Sequence, residues 1–219
     1  METKEQLFAA IRSGDQERIV EMLDGDPGLA KAKTEKGVSA VLTALYHGKA
    51  QIADSLIPHA EPLDIFEASA AGQVDRVTHL LQESPELANA VAPDGFSPLG
   101  LSAFFRHPAV AHALVGAGAD VNRASSNAMK VMPLHSSVAS GQLEISQLLL
   151  AHGAHVNATQ ADDYAPLHEA AQNGDLHMAR LLLRYGADPN APSVGGKTAH
   201  DIAREGNHQE LAALLEAQT

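Results

Sequence analysis

Twelve histidines, 27 acidic side chains and no cysteine are the groups in this 219-residue sequence from which chemistry would have to be built. His135 and His168 each follow Pro-Leu, His152 and His155 flank Gly153, and His79, His112 and His177 fall in or near apolar-periodic segments. An imidazole acts as a base or a metal ligand only when further groups converge on it. His152 and His155 straddle a predicted helix end, so they do not share a helical face, and the spacing supplies no third ligand. Ser136-Ser137 directly follow His135 on a predicted helix, which is poor geometry for a serine–histidine dyad. No strained serine elbow or Gly-rich phosphate loop occurs. Asp162-Asp163 are paired carboxylates, but they fall in a polar segment expected to be open to water. Without cysteine there are no disulfides, thiolates or finger-type zinc sites. The expectation is a non-catalytic chain with no metal and no cofactor.

Recognition is what remains, and bulk composition limits its targets. The formal charge of −12 opposes phosphate backbones and anionic headgroups, so neither nucleic acid nor membrane is an expected partner. No apolar run approaches the ~18 residues of a membrane span, and Met1-Glu2-Thr3-Lys4-Glu5 opens with mixed charge. The reading is a soluble, cytoplasmic, monomeric protein. Hydrophobic residues make up 45% of the chain but aromatics only 4%, with no Trp, so the core must come from Ala, Leu, Val and Ile. Such small side chains suit closely packed helices.

The elements that position these residues appear on comparing the sequence with itself. Pro166-Leu167-His168, Gly174, Leu181-Leu182-Leu183 and Gly186-Ala187-Asp188-Pro189-Asn190 match Pro133-Leu134-His135, Gly141, Leu148-Leu149-Leu150 and Gly153-Ala154-His155-Val156-Asn157. Further copies start near Gln6, Ala40, Asp64, Pro98 and Ala199. Pro133 and Pro166 suit a first helical turn, where a missing N–H is no loss. Gly141 and Gly174 suit a left-handed helix end. The second helix carries an apolar stripe, Leu143, Ile145, Leu148 and Leu149 in one copy, that a single helix pair cannot bury.

In these motifs the chain resembles ankyrin repeats, over roughly residues 4–218. The resemblance implies one all-α domain spanning 1–219, a solenoid of about seven helix-turn-helix repeats joined by short hairpin-like fingers. Repeats start near 6, 40, 64, 98, 133, 166 and 199, the terminal two acting as caps. It also implies that His135 and His168 hold neighbouring backbone, and that a partner binds at the finger tips and the exposed ends of the first helices.

Several positions depart from the pattern. The interval between the copies at Ala40 and Asp64 is too short for a finger, and Pro58 and Pro62 flank it. A gap or change of curvature is expected at 58–63, in a continuous stack or between two rigid halves. Residues 6–48 also resemble residues 64–106 at a constant offset, Asp26-Pro27-Gly28-Leu29-Ala30 falling on Ser84-Pro85-Glu86-Leu87-Ala88. Met132 and Ala165 replace a capping Thr, which typically lowers stability by about 1 kcal/mol. Arg106 and Asn207 occupy helix-ending Gly positions, and His200 stands in place of a core Leu.

This register nominates the binding surface. Tyr46-His47 and Phe104-Phe105 precede the helix-ending position, as do Ala139-Ser140 and Gln172-Asn173, while Phe96, Val131 and Tyr164 stand two residues before the motif proline. The chain has three Tyr and five Phe, yet Tyr46, Phe96, Phe104, Phe105 and Tyr164 all fall on the groove side. Large aromatics are over-represented in binding hot spots. Met129 and Val131 extend this patch, with Asp162 and Asp163 at its rim. The expected partner is another protein; a histidine-dependent enzyme or a small-ligand scaffold is the alternative, as is inward packing of Phe104 or Phe105.

Overall fold

The computed structural model describes residues 3–218, apart from the side chain of Asp162. Among the described residues fourteen α-helices follow one another: α1 (Lys4–Ser13), α2 (Gln16–Gly25), α3 (Ala40–Tyr46), α4 (Ala50–Ala60), α5 (Ile65–Ala70), α6 (Val74–Glu83), α7 (Pro98–Phe104), α8 (Pro108–Gly116), α9 (Pro133–Ala139), α10 (Leu143–Ala151), α11 (Pro166–Gln172), α12 (Leu176–Arg184), α13 (Ala199–Glu205) and α14 (Gln209–Glu216). Each odd-numbered helix pairs with the helix after it, and odd helices pack on odd and even on even, so the seven pairs stack. None of the described helices is long and apolar enough to cross a membrane.

One apolar core connects the pairs from Leu7 to Leu215. The inward stripe of each even helix is buried by its neighbours: Ile19 and Met22, Ile52 and Leu56, Val110 and Leu114, Ile145 and Leu149, Met178 and Leu182 are all essentially inaccessible. No single pair buries both its faces, so a repeat's stability resides largely in its interfaces. His200 is only half-buried on α13, where no further described helix pair follows to cover it.

Helix ends follow the sequence closely. The first helix starts at Lys4, two residues before the expected Gln6, because Thr3 and Gln6 exchange a capping box, Gln6 N–H to Thr3 Oγ1 at 3.2 Å and Thr3 N–H to Gln6 Oε1 at 2.7 Å. Ser39, Ser97 and Thr198 cap α3, α7 and α13, whereas Met132 gives α9 no side-chain cap. At α11 the Ala165 deficit is partly met, since the Ala165 N–H donates to His168 Nδ1 at 3.0 Å. Arg106 and Asn207 take left-handed φ values of 68° and 60°.

The fingers are short backbone hairpins. Thr34 N–H bonds Val38 C=O, Ala92 bonds Phe96, Gln160 bonds Tyr164 and Ser193 bonds Lys197, at 2.8–3.1 Å. The finger before α9 spans two residues more, its bond running from Ser125 N–H to Val131 C=O. The residues after α8, α10 and α12 are clamped by the preceding repeat. Asn89 Nδ2 donates to Gly118 C=O at 2.9 Å while its Oδ1 accepts the Asp120 N–H at 2.8 Å. Asn122 treats Gly153 and His155 in the same way, and Asn157 treats Gly186 and Asp188.

Residues 61–64 alone join α4 to α5, whereas 84–97 lie between α6 and α7, and no finger is present at the short join. The even row is correspondingly weakest between α4 and α6. Instead of a finger, Asp64 and Glu67 form a capping box on α5, and Arg76 Nε donates to Leu63 C=O at 2.9 Å. The helix α4 runs through Pro58 rather than ending before it. The duplicated segments adopt one conformation, 3-10 turns at Pro27–Lys31 and Pro85–Asn89.

Two outcomes follow for thermal unfolding. Asn122→Ala removes both clamp bonds and should lower stability by about 1–2 kcal/mol. Arg106→Gly relieves a left-handed non-glycine residue and should raise stability by about 0.5–1 kcal/mol, net of the added freedom of the unfolded chain.

Candidate binding groove

The ends of the odd helices and the finger tips share one face, and an apolar cavity of about 390 Å³ opens on it. Tyr46 from α3, Gly100, Leu101 and Phe104 from α7, His135, Ser136 and Ala139 from α9 and Glu169 from α11 line it with Phe96, Met129, Val131 and Gln160 from the fingers. Five of the nominated residues, Tyr46, Phe96, Phe104, Met129 and Val131, thus converge on one space. Met129, Phe104 and Tyr46 are 55%, 47% and 37% exposed, large apolar areas to leave in water.

The other nominated residues lie elsewhere. Phe105 is half-buried and packs with Phe66, Phe96 and Val38 on Leu42, Ala70 and Leu101. It braces the cavity from behind, edge-on to Phe104 with ring centroids 5.1 Å apart and tilted against Tyr46 at 5.5 Å. His47 is exposed and faces a separate, more open depression with Lys4, Phe8, Arg12 and Lys36. Tyr164 is half-buried, its hydroxyl donating to Gln172 Oε1 at 2.6 Å. Burial first, and the Glu169 charge second, push its phenol up to about 12. Asp163 is exposed in a left-handed turn, and the Asp162 side chain lies outside the described residues.

Hydrogen bonds hold the rim of this cavity. Tyr46 Oη donates to Asp94 Oδ2 at 2.7 Å, and burial, followed by this bond and the Asp94 charge, raises the phenol far above its ordinary value. Asn127 Nδ2 donates to Asp94 C=O at 2.9 Å, while Asn127 Oδ1 accepts from Ser125 Oγ and from the Met129 N–H at 2.9 and 3.0 Å. Met129 C=O accepts the Ala161 N–H at 2.9 Å. Three successive fingers are therefore linked through the backbone on either side of Met129.

The histidines act mainly on backbone. His168 Nδ1 accepts an N–H, so its Nε2 carries the proton and donates to Ala191 C=O at 2.9 Å. His135 Nε2 bonds Tyr164 C=O at 3.2 Å; burial lowers its pKa to about 4, which keeps the imidazole neutral beneath the cavity. His152 Nδ1 meets Leu148 C=O at the end of α10, and no group of three or more His, Asp or Glu converges as a metal site among the described residues. Ser137 Oγ is buried against Ser146 Oγ and Leu134 C=O rather than a base.

Glu169 was not singled out by its motif position, because the cavity forms only when three repeats meet. The available signal was the interval of 35 residues between Pro98 and Pro133, against 33 between Pro133 and Pro166. Those extra residues lengthen the finger that carries Met129 and Val131. Partial burial holds the Glu169 carboxyl above the usual range, so its ionisation opposes folding as pH rises above the unfolded-state value near 4.3. Glu169→Gln should accordingly raise the thermal midpoint at pH 7, and the two proteins should converge below about pH 4, where both side chains are neutral.

A family model described as ankyrin repeats, in three copies, matches residues 65–160 and 134–218. A transient receptor potential cation channel subfamily A member 1 homolog of Caenorhabditis elegans is 34% identical over 157 residues, 71% of this chain and 13% of that protein. The chain thus spans only a small part of this relative. Helices α1 to α4 precede the matched residues and carry the same pairing. By the recurring motifs, the stacked helix pairs and the extent of the family match, the chain belongs to the ankyrin-repeat family, whose repeats generally serve as protein–protein interaction modules.

Proposed function

We propose that this chain is a non-catalytic, cytoplasmic protein-binding module that holds its partner in the groove formed by the finger tips and odd-helix ends. The observation that carries this reading is the convergence of Tyr46, Phe96, Phe104, Met129 and Val131 on one apolar cavity. Exposed aromatic and Met side chains around a recess, inside a polar surface, have the composition of an interface centre. The linked fingers support the same reading, since a rim already held by hydrogen bonds loses little further freedom on association. Phe104 is the natural anchor, because Phe105 fixes its ring from the side without covering it.

Affinity capture with wild type and two single variants tests the groove. Phe104→Ala empties the cavity wall; Tyr185→Ala removes a comparably exposed ring, 46% accessible, just beyond α12. Proteins retained by wild type should persist on Tyr185→Ala and fall by roughly tenfold or more on Phe104→Ala, as for a hot-spot truncation. Equal retention by all three, with circular dichroism reporting an intact fold, removes the groove as the binding site.

A further inference from the structure

Glu169 is the one formal charge among the residues lining the cavity, His135 being neutral. It forms no ion pair or side-chain hydrogen bond among the described residues. The carboxylate is partly buried beside apolar walls, where an opposite charge attracts it more strongly than in open water. Tyr46 and Phe104 add aromatic surface, which accepts both aliphatic stems and cations. Arg106 and Lys130, which adjoin Phe105 and Met129 in sequence, are exposed and outside the lining. The whole chain carries a formal charge of −12.

Resting on the groove reading above, we propose that the cavity selects a basic amphipathic segment of its protein partner. An apolar side chain of that segment enters between Phe104, Met129 and Val131, and a lysine or arginine about one helical turn away meets Glu169. The apolar contact supplies affinity, and the carboxylate decides which apolar segments are retained. An acidic segment would bring like charge against Glu169, and a neutral one would leave the carboxylate partly desolvated and unpaired.

The probe is a display library of random twelve-residue peptides selected on the full chain, with enriched peptides resynthesised for calorimetry. The enriched set should pair Leu, Ile, Met, Phe or Trp with Lys or Arg within four positions. Replacing that basic residue by norleucine should weaken binding to wild type by about tenfold. The same replacement should change binding to Glu169→Gln little, the pairwise signature of direct coupling. Peptides that need Phe104 but contain no basic residue, or contain acidic ones, overturn the charge selection and leave the groove standing. Peptides bound equally by Phe104→Ala, or a library that enriches nothing, overturn the groove reading and this inference together.

Discussion

The finger missing between α4 and α5 is the constraint on which the groove is built. A stack of helix pairs normally covers the tops of its odd helices with one finger per repeat, and here α5 has none. The uncovered space is filled with side chains: Phe66, Phe96 and Phe105 join Val38 and Leu45 over Leu42, Ala70 and Leu101. The flanking fingers close in as well, since a Cβ on Gly37 would stand 3.0 Å from Pro93 Cβ. Tyr46 then reaches past the third pair to Asp94. The fingers on either side of the 58–63 join thus come together on this face. The aromatic content of the chain is concentrated where backbone was lost, and Phe104 and Tyr46 are the rings on the outer side of that plug.

Rigidity comes from elsewhere, through side chains that grip neighbouring backbone. The Asn89, Asn122 and Asn157 clamps secure the turn after the next even helix, and His135 and His168 secure the next finger. His107 and His208 reach back in the opposite direction, to Ala70 C=O and Gln172 C=O, lying over Gly72 and Gly174 so closely that a Cβ there would clash. The repeats from α5 onward are thereby tied to their neighbours through backbone. Coupling of this kind makes local turns cooperative with the whole stack, which an apolar interface of Ala and Leu alone, able to slide, would specify less sharply.

The fold was largely legible in the sequence because its determinants repeat: Pro at the first turn, Gly at the left-handed end, Leu on the inward stripe. The start of α1 was displaced because Thr3 and Gln6 form a local capping box that the repeat register does not contain. The groove was legible in part. Tyr46, Phe96, Phe104, Met129 and Val131 follow from register, since finger and odd-helix positions have a fixed side. Phe105 could not be assigned that way: its neighbour in sequence faces water while it fills the plug, and only the third dimension shows that the plug is needed. Glu169, Gln160 and Gly100 escaped because each becomes a lining residue through contacts across repeats rather than through any local pattern.

This division separates what holds the fold from what shapes the cavity. His135 and His168 occupy equivalent positions and do equivalent work, as do the clamping asparagines. The position of Glu169, by contrast, is Ser136 in the preceding repeat and Ile202 in the next, and the position of Phe104 is Ala139 one repeat later. A large ring at Phe104 and small residues at Ala139 and Gly100 line the recess together and leave it open; two large residues would close it, and two small ones would flatten it. The longer third finger brings Met129 and Val131 over the same recess. The recess therefore owes its shape to the non-repeating residues, set on a backbone whose repeating residues keep them still.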